Sequence, residues 1–243
     1  MTGKATSRVV LITGGTSGIG LSLADSFLRE GDAVAVCARS RAGLDRFTEK
    51  HPDGLAVQAD VTDPQARTAL LDAVGERFGR LDVLINNAGG LVERDFSADD
   101  ATAALDQEID LNLTAPIHLT GETLRRWPDL SAIVFVTSGF ALISPTRAPT
   151  YGAAKAGLHG FAEGLRRQLA PRGTHVLEVL PPTTDTPATA AKTGPKLPPA
   201  EVAEATIRAL RERRPMAFPG NAKLMPALLR IAPRTLDRMV AKL

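Results

Sequence analysis

Six short runs of Val, Ile, Leu and Ala punctuate the chain: RVVLIT (8–13), DAVAVCA (32–38), GLAVQA (54–59), LDVLIN (81–86), SAIVFVT (131–137) and HVLEVL (175–180). They are nearly continuous rather than alternating, as strands buried on both faces should be. Between them lie longer stretches with helical spacing: LSLADSFLRE (21–30), QARTALLDAVGERF (65–78), the segment from about 101 to 127, YGAAKAGLHGFAEGLRRQLA (151–170) and AEVAEATIRALRER (200–213). PMAFP (215–219) reads as a short last edge strand. Strand and helix alternating at this pace predict an α/β fold, a parallel sheet between two helical layers. No internal repeat or low-complexity linker interrupts the rhythm, so residues 1–243 read as a single domain ending in an amphipathic tail at about 221–243.

Composition narrows the possibilities. With 243 residues, 44% hydrophobic, the chain can bury one large core. A net charge of +2 and the absence of long Lys/Arg runs give no reason to expect nucleic acid. The one cysteine, Cys37, excludes an intrachain disulfide framework and reads as a buried strand residue. His51, His118, His159 and His175 show no metal-ligand spacing, so no metal site is expected. MTGKATSR is short and polar, and no stretch of about 18 apolar residues follows. The expectation is a cytoplasmic protein.

Chemistry enters where strands end. The first run gives way to TGGTSGIG (13–20), with Gly14, Gly18 and Gly20 at G-x-x-x-G-x-G spacing before a helix. Glycines there allow a tight turn and close backbone approach to a pyrophosphate, and the helix N-terminus supplies free N–H groups. The second run ends in CARSR. In a Rossmann fold that position faces the adenosine ribose, where Arg39 offers a planar fork to a 2′-phosphate. Arg41 is either a second phosphate contact or helix surface. Asp60, NNAGG (86–90) and TSGFALIS (137–144) follow the next runs and would gather at the same sheet edge. The sole tyrosine, Tyr151, precedes Lys155 by four positions, which puts both on one helical face. A phenol ordinarily keeps its proton to pH ~10. An adjacent ammonium is expected to lower that pKa and let Tyr151 act as a general acid or base.

Together these motifs resemble the classical short-chain dehydrogenases/reductases over roughly residues 8 to 219. The likeness rests on TGGTSGIG, Asp60-Val61, NNAGG, Asn112 in DLNLTAP, Ser138, and Tyr151-x-x-x-Lys155. It implies a doubly wound Rossmann sheet of about seven strands in the order 3-2-1-4-5-6-7, and an NAD(P)-dependent oxidoreductase acting on a carbonyl or alcohol. The implied catalytic set is Asn112, Ser138, Tyr151 and Lys155. Tyr151 would exchange the proton, Ser138 would hold the substrate oxygen, Lys155 would also bind the nicotinamide ribose, and Asn112 would position a water. Asp60 and Val61 would frame the adenine, and Asn87, Ala88 and Gly89 would face the cofactor. Thr16, Ser17 and Ile19 of the first turn join Gly14, Gly18 and Gly20 as cofactor contacts. With Arg39, the expected cofactor is NADP(H) rather than NAD(H), and the expected reaction is reduction of a ketone or aldehyde. The alternatives are an alcohol dehydrogenase working toward oxidation and a non-catalytic nucleotide sensor on the same fold. The family also suggests homodimers or homotetramers through helices at 101–127 and 151–170.

One departure stands out. The family usually follows its sixth strand with Pro-Gly, whereas this chain reads PPTTDTP (181–187). Pro182 fixes φ and removes an N–H. Pro181, Thr184 and Thr186 remain expected cofactor contacts, with Thr183 beside them. The double proline resembles a subgroup found with teichoic-acid D-alanylation operons. Phe140, Leu142 and Ile143 either line a substrate pocket or anchor the loop. Arg147 either greets an anionic substrate or is an exposed loop residue. Trp127 should cap the long helix by packing on the core. The tail KLMPALLRIAPRTLDRMVAKL, interrupted by Pro226 and Pro233, could pack on a neighbouring subunit, lie at a membrane surface, or dock on its own domain.

Overall fold

The computed structural model describes residues 7–98, 100 and 102–241; the expectations for residues 1–6, 99, 101, 242 and 243 lie outside the described residues. All six apolar runs and the short seventh form strands: β1 (Val9–Thr13), β2 (Ala33–Ala38), β3 (Leu55–Gln58), β4 (Val83–Asn86), β5 (Ala132–Val136), β6 (His175–Val179) and β7 (Met216–Ala217). They make one parallel sheet in the order β3-β2-β1-β4-β5-β6-β7, as expected.

Successive strand residues face opposite layers, and the core divides accordingly. Val10 and Ile12 of β1 pack with Leu23, Ala24 and Phe27 of α1 (Gly18–Arg29), Phe47 of α2 (Arg41–Lys50), and Val202 and Ile207 of α7 (Pro199–Arg211). Val9 and Leu11 turn the other way. They meet Leu70 and Val74 of α3 (Pro64–Phe78), Leu119 of α5 (Ala115–Arg126), and Leu158 and Ala162 of α6 (Pro149–Leu169). Phe27, Phe47 and Phe135 are fully buried, each worth about 1.5–3 kcal/mol over exposure.

Local signals set the helix limits. Asp63 caps α3 by accepting from Gln65 N, Pro64 supplies the first turn, and Gly79 closes it in the left-handed region at φ 72°. The helix α2 had no counterpart among the expected periodic segments. Its signals are short ones: the Ser40 side chain accepts from Gly43 N, and Leu44 and Phe47 provide the only buried large side chains. The long helix expected from 101 to 127 is broken. It consists of α4 (Leu105–Ile109), a wide π turn at Asp110–Thr114, and then α5. Trp127 ends α5 and packs against the core, as expected. The tail forms α8 (Met225–Ile231) and α9 (Pro233–Val240), split at Pro233.

Candidate active site

Two adjoining hollows open at the carboxyl edge of the sheet, where the candidate residues gather. The first begins at the glycine-rich turn. Gly14 adopts φ 65°, a conformation open to glycine, and its N–H donates to the Cys37 carbonyl at 2.9 Å. A side chain on Gly20 would fall on the Gly14 carbonyl oxygen, so only glycine lets α1 start this close to β1. Ser17, the residue before α1, is extended and makes no side-chain cap. The first-turn amides of α1 are therefore left for another acceptor, and Ser17, Gly18 and Ile19 line the cleft beside them. Thr13 and Asn87 knit the floor. Thr13 Oγ1 accepts from Asn87 N and Ala88 N, both at 2.9 Å, and Asn87 Nδ2 donates to Thr13 O at 2.9 Å.

The second hollow is walled by Thr16, Arg39, Ser40, Asp60, Val61 and Leu111. Arg39, 74% exposed, reaches within 3.9 Å of the Asp60 carboxylate. Asp60 is held in turn by Thr62, whose N–H and hydroxyl donate to Oδ1 at 3.0 and 2.8 Å. Arg41 is exposed and pairs with Asp45 one turn along α2, which favours the helix-surface reading.

Ser138, Tyr151 and Lys155 meet on the far wall of the first hollow. Ser138 follows β5 and is fixed by a 3.1 Å hydrogen bond from Phe140 N to its Oγ, and its hydroxyl lies near enough to the Tyr151 phenol to favour the phenolate. Tyr151 lies on the first turn of α6, with Pro149 at the helix start. The buried Lys155 ammonium is 5.7 Å from the Tyr151 ring centre and donates to Val136 O at 3.2 Å. Asn112 sits in the π turn, fully buried. Its Nδ2 donates to Gly90 O (2.8 Å) and Glu108 O (3.0 Å), and its Oδ1 accepts from Gly90 N (3.2 Å). Those bonds clamp the loop after β4. A Cβ on Gly89 would stand 2.9 Å from Asn112 Oδ1 and 3.2 Å from Lys155 Nζ, which shows how tightly the groups converge.

The expected direction of the Tyr151 pKa is overturned. Burial pushes the phenol up to about 12; the nearby Ser138 hydroxyl works against this, and the Glu108 charge adds to it. Lys155 is lowered to about 8, chiefly by burial, with the Glu178 charge opposing. In the cofactor-free protein the desolvation of the phenolate outweighs any help from the ammonium.

The loop after β6 completes the rim. Pro181, Pro182, Thr183, Thr184 and Thr186 all line the cleft, with Thr184 buried and bonded through Oγ1 to Pro182 O at 2.9 Å. Thr186 and Thr189 form a reciprocal cap over a short helical turn. Phe140 lines the cleft, whereas Leu142 and Ile143 are not among its walls. Arg147 is exposed and pairs with Glu93 at 2.9 Å.

Sequence reading passed over several neighbours. Leu91, Ala188, Thr189 and Lys192 line the cleft from loops without periodicity. Glu108 and Arg94 form a buried ion pair at 3.3 Å behind Tyr151, and Glu178 is buried in β6 beside His159. A visible signal existed for Glu178: one acid inside HVLEVL, a strand buried on both faces, must find partners. Among the described residues, no group of three or more His, Cys, Asp or Glu could hold a metal ion.

A parallel sheet in this order, a glycine-rich turn opening onto a helix, and a Ser-Tyr-Lys cluster across the cleft together define an oxidoreductase of the dinucleotide-binding class. The chain belongs to the short chain dehydrogenase family, whose model matches residues 8–196. It is 41% identical over 187 residues to the oxidoreductase DltE of Bacillus subtilis, covering 75% of this chain and 74% of that one. It is 37% identical over 195 residues to a putative ketoacyl reductase of Streptomyces coelicolor, covering 74% and 72%. The solved short-chain dehydrogenase from Sphingobium yanoikuyae in complex with NADPH superposes with a TM-score of 0.79 at 27% identity, over 94% of each chain.

Proposed function

We propose that this protein is an NADP(H)-dependent carbonyl reductase in which Tyr151 is the proton donor. The observation that carries the reading is the meeting of Ser138, Tyr151 and Lys155 on one cleft wall, with the Lys155 ammonium 5.7 Å from the Tyr151 ring centre. The ketoacyl reductase relative and the NADPH-bound neighbour support the direction and the cofactor.

The residues present fit such a dinucleotide. The uncapped first turn of α1 would hold a pyrophosphate, with Gly14 letting the backbone come close. Arg39 would hold a 2′-phosphate. Asp60 and Val61 would flank the adenine, and Asn87, Ala88 and Gly89 would form the floor. Pro181, Thr184 and Thr186 would hold the nicotinamide end, and Lys155 its ribose. When bound, NADPH supplies the hydride.

Ser138 Oγ and the Tyr151 hydroxyl grip the substrate carbonyl oxygen. As negative charge develops there, Tyr151 releases its proton to that oxygen. The Lys155 ammonium stabilises the phenolate left behind. Asn112 holds Gly90 and the π turn in place so that a water can resupply the proton. A phenol held at about 12 when no cofactor is bound is protonated at neutral pH, the state a reductase needs. The small-molecule carbonyl enters between Phe140 and the loop from Pro181 to Thr189.

Purified protein, a broad ketone and aldehyde panel, and NADPH absorbance provide the test. Absence of turnover across the panel would refute the reading and favour a nucleotide sensor. Preference for alcohol oxidation with NAD would favour a dehydrogenase, the activity named for a 2,3-dihydroxy-2,3-dihydro-p-cumate dehydrogenase of Pseudomonas putida that is 33% identical over 189 residues.

A further inference from the structure

The tail from Gly220 carries a surface that none of this chemistry uses. Its start is anchored. Ala222 is buried, and Met225 lies on Gly139, whose added Cβ would stand 2.9 Å from Met225 Cε. Gly139 neighbours Ser138, so α8 begins at the carboxyl edge of the sheet. Leu236 and Val240 are also buried and hold α9 down.

The other tail apolar positions point outward. Leu224, Leu228 and Ile231 recur at i, i+4 and i+7 and are 56%, 38% and 81% exposed; Met239 is 58% exposed. Among the described residues only two other large hydrophobics are exposed to this degree, Val92 and Phe96. Both follow β4 at the same carboxyl edge, in a loop tied to the catalytic side by Arg94 N donating to Arg147 O at 2.8 Å. Among the described residues, the exposed large hydrophobics thus fall in the tail and in the loop after β4.

Charge selects the occupant. From 221 to 241 the tail holds Lys223, Arg230, Arg234 and Arg238 against a single acid, Asp237. All four cations are exposed. A second copy docking by the same face would bring these cations together. An anionic lipid surface instead accepts both features, apolar side chains below the headgroups and basic ones among them. Among the described residues no helix is long and apolar enough to cross a membrane, so the contact is peripheral. We infer that the tail is a docking surface for anionic lipid bilayers, seated beside the cleft where Met225 lies on Gly139.

Co-sedimentation with vesicles tests this. The full chain should bind vesicles of equal parts phosphatidylglycerol and phosphatidylcholine, bind pure phosphatidylcholine far less, and release as salt rises. Leu228→Ser with Ile231→Ser should abolish measurable binding, and because both side chains are exposed the variant should fold, checked by circular dichroism. Arg230→Gln with Arg234→Gln should weaken binding about thirty-fold. No binding to the phosphatidylglycerol vesicles, equal binding to both compositions, or undiminished binding by the two variants would overturn the inference. So would light scattering in which the serine variant splits an oligomer, since a second copy would then be the occupant.

Discussion

The Glu178 carboxylate, near the end of β6 and 1% exposed, lies 2.7 Å from His159 Nδ1 and accepts a 2.7 Å hydrogen bond from Thr137 Oγ1. A carboxylate in a parallel strand is costly unless each oxygen is engaged, and here both are. Its charge also reaches Lys155, where it opposes the lowering caused by burial. Glu178→Ala should destabilise the fold by about 1–3 kcal/mol, the cost of stranding buried polar partners, read by urea denaturation. Glu178→Gln keeps the shape but removes the charge. Lys155 should then lose its proton below its present value of about 8, and any activity that needs the ammonium should decline at lower pH than in the parent.

The buried lysine also leaves a mark on stability. Its pKa falls from 10.5 unfolded to about 8 folded, so between those values the unfolded chain holds a proton that the folded one has released. Stability from this group therefore rises with pH across that window. Tyr151 works in the opposite sense: its pKa rises from 10.0 to about 12, and its contribution falls as pH climbs through that range. Denaturation midpoints of the parent and Lys155→Met between pH 8 and 10.5 should differ in slope, with the positive component missing in the variant. Parallel slopes would mean that Lys155 is not desolvated.

A chain with one tyrosine permits an unusually clean titration. Tyrosinate absorbance in the cofactor-free protein should reach half its amplitude near pH 12, well above a free phenol. Saturating NADP⁺, whose oxidised ring is cationic, should move the midpoint downward. Tyr151→Phe should cut carbonyl reduction by ~10²–10⁴-fold while sparing NADPH binding. Retention of a tenth or more of the activity would assign the proton to another group.

On the proposed reading, Arg39 selects the cofactor. Its guanidinium is solvent-exposed and only loosely engaged by Asp60 at 3.9 Å, so little must be broken before it turns to a phosphate. Arg39→Ala should weaken NADPH by about 1.5–3 kcal/mol, the range for charged hydrogen bonds, and leave NADH nearly unchanged. Isothermal titration with both cofactors checks this; equal losses would remove Arg39 from the 2′-phosphate.

Much of this architecture was legible because strands buried on both faces announce themselves as unbroken Val, Ile and Leu runs, and the seven-strand order followed from the resemblance those runs and motifs carry. The convergence of Gly14, Asn87, Ser138, Tyr151 and Lys155 at one edge was legible for the same reason: the first three come just after strands, and the last two lie in the first two turns of a helix. What failed to show was whatever depends on distance across the fold. The 10-residue α2 has only Leu44 and Phe47 to mark its inner face, too few for a period. The Tyr151 pKa was read from Lys155 alone, whereas burial by surrounding loops decides its direction. The partners of Glu178 come from β5 and α6, 41 and 19 positions away.

The wide turn at Asp110–Thr114 holds one residue more than a regular helix would use. A chain shortened by one position there could run straight from α4 into α5, each still showing the same side to the sheet. The architecture has no need of the extra residue. Asn112 does, because that residue's slack carries its carboxamide to Gly90 N and Gly90 O at once. The surplus residue is thus an insertion that the fold tolerates and, on the proposed role of Asn112, the site requires, so a single-codon deletion there should leave a stable protein with little activity.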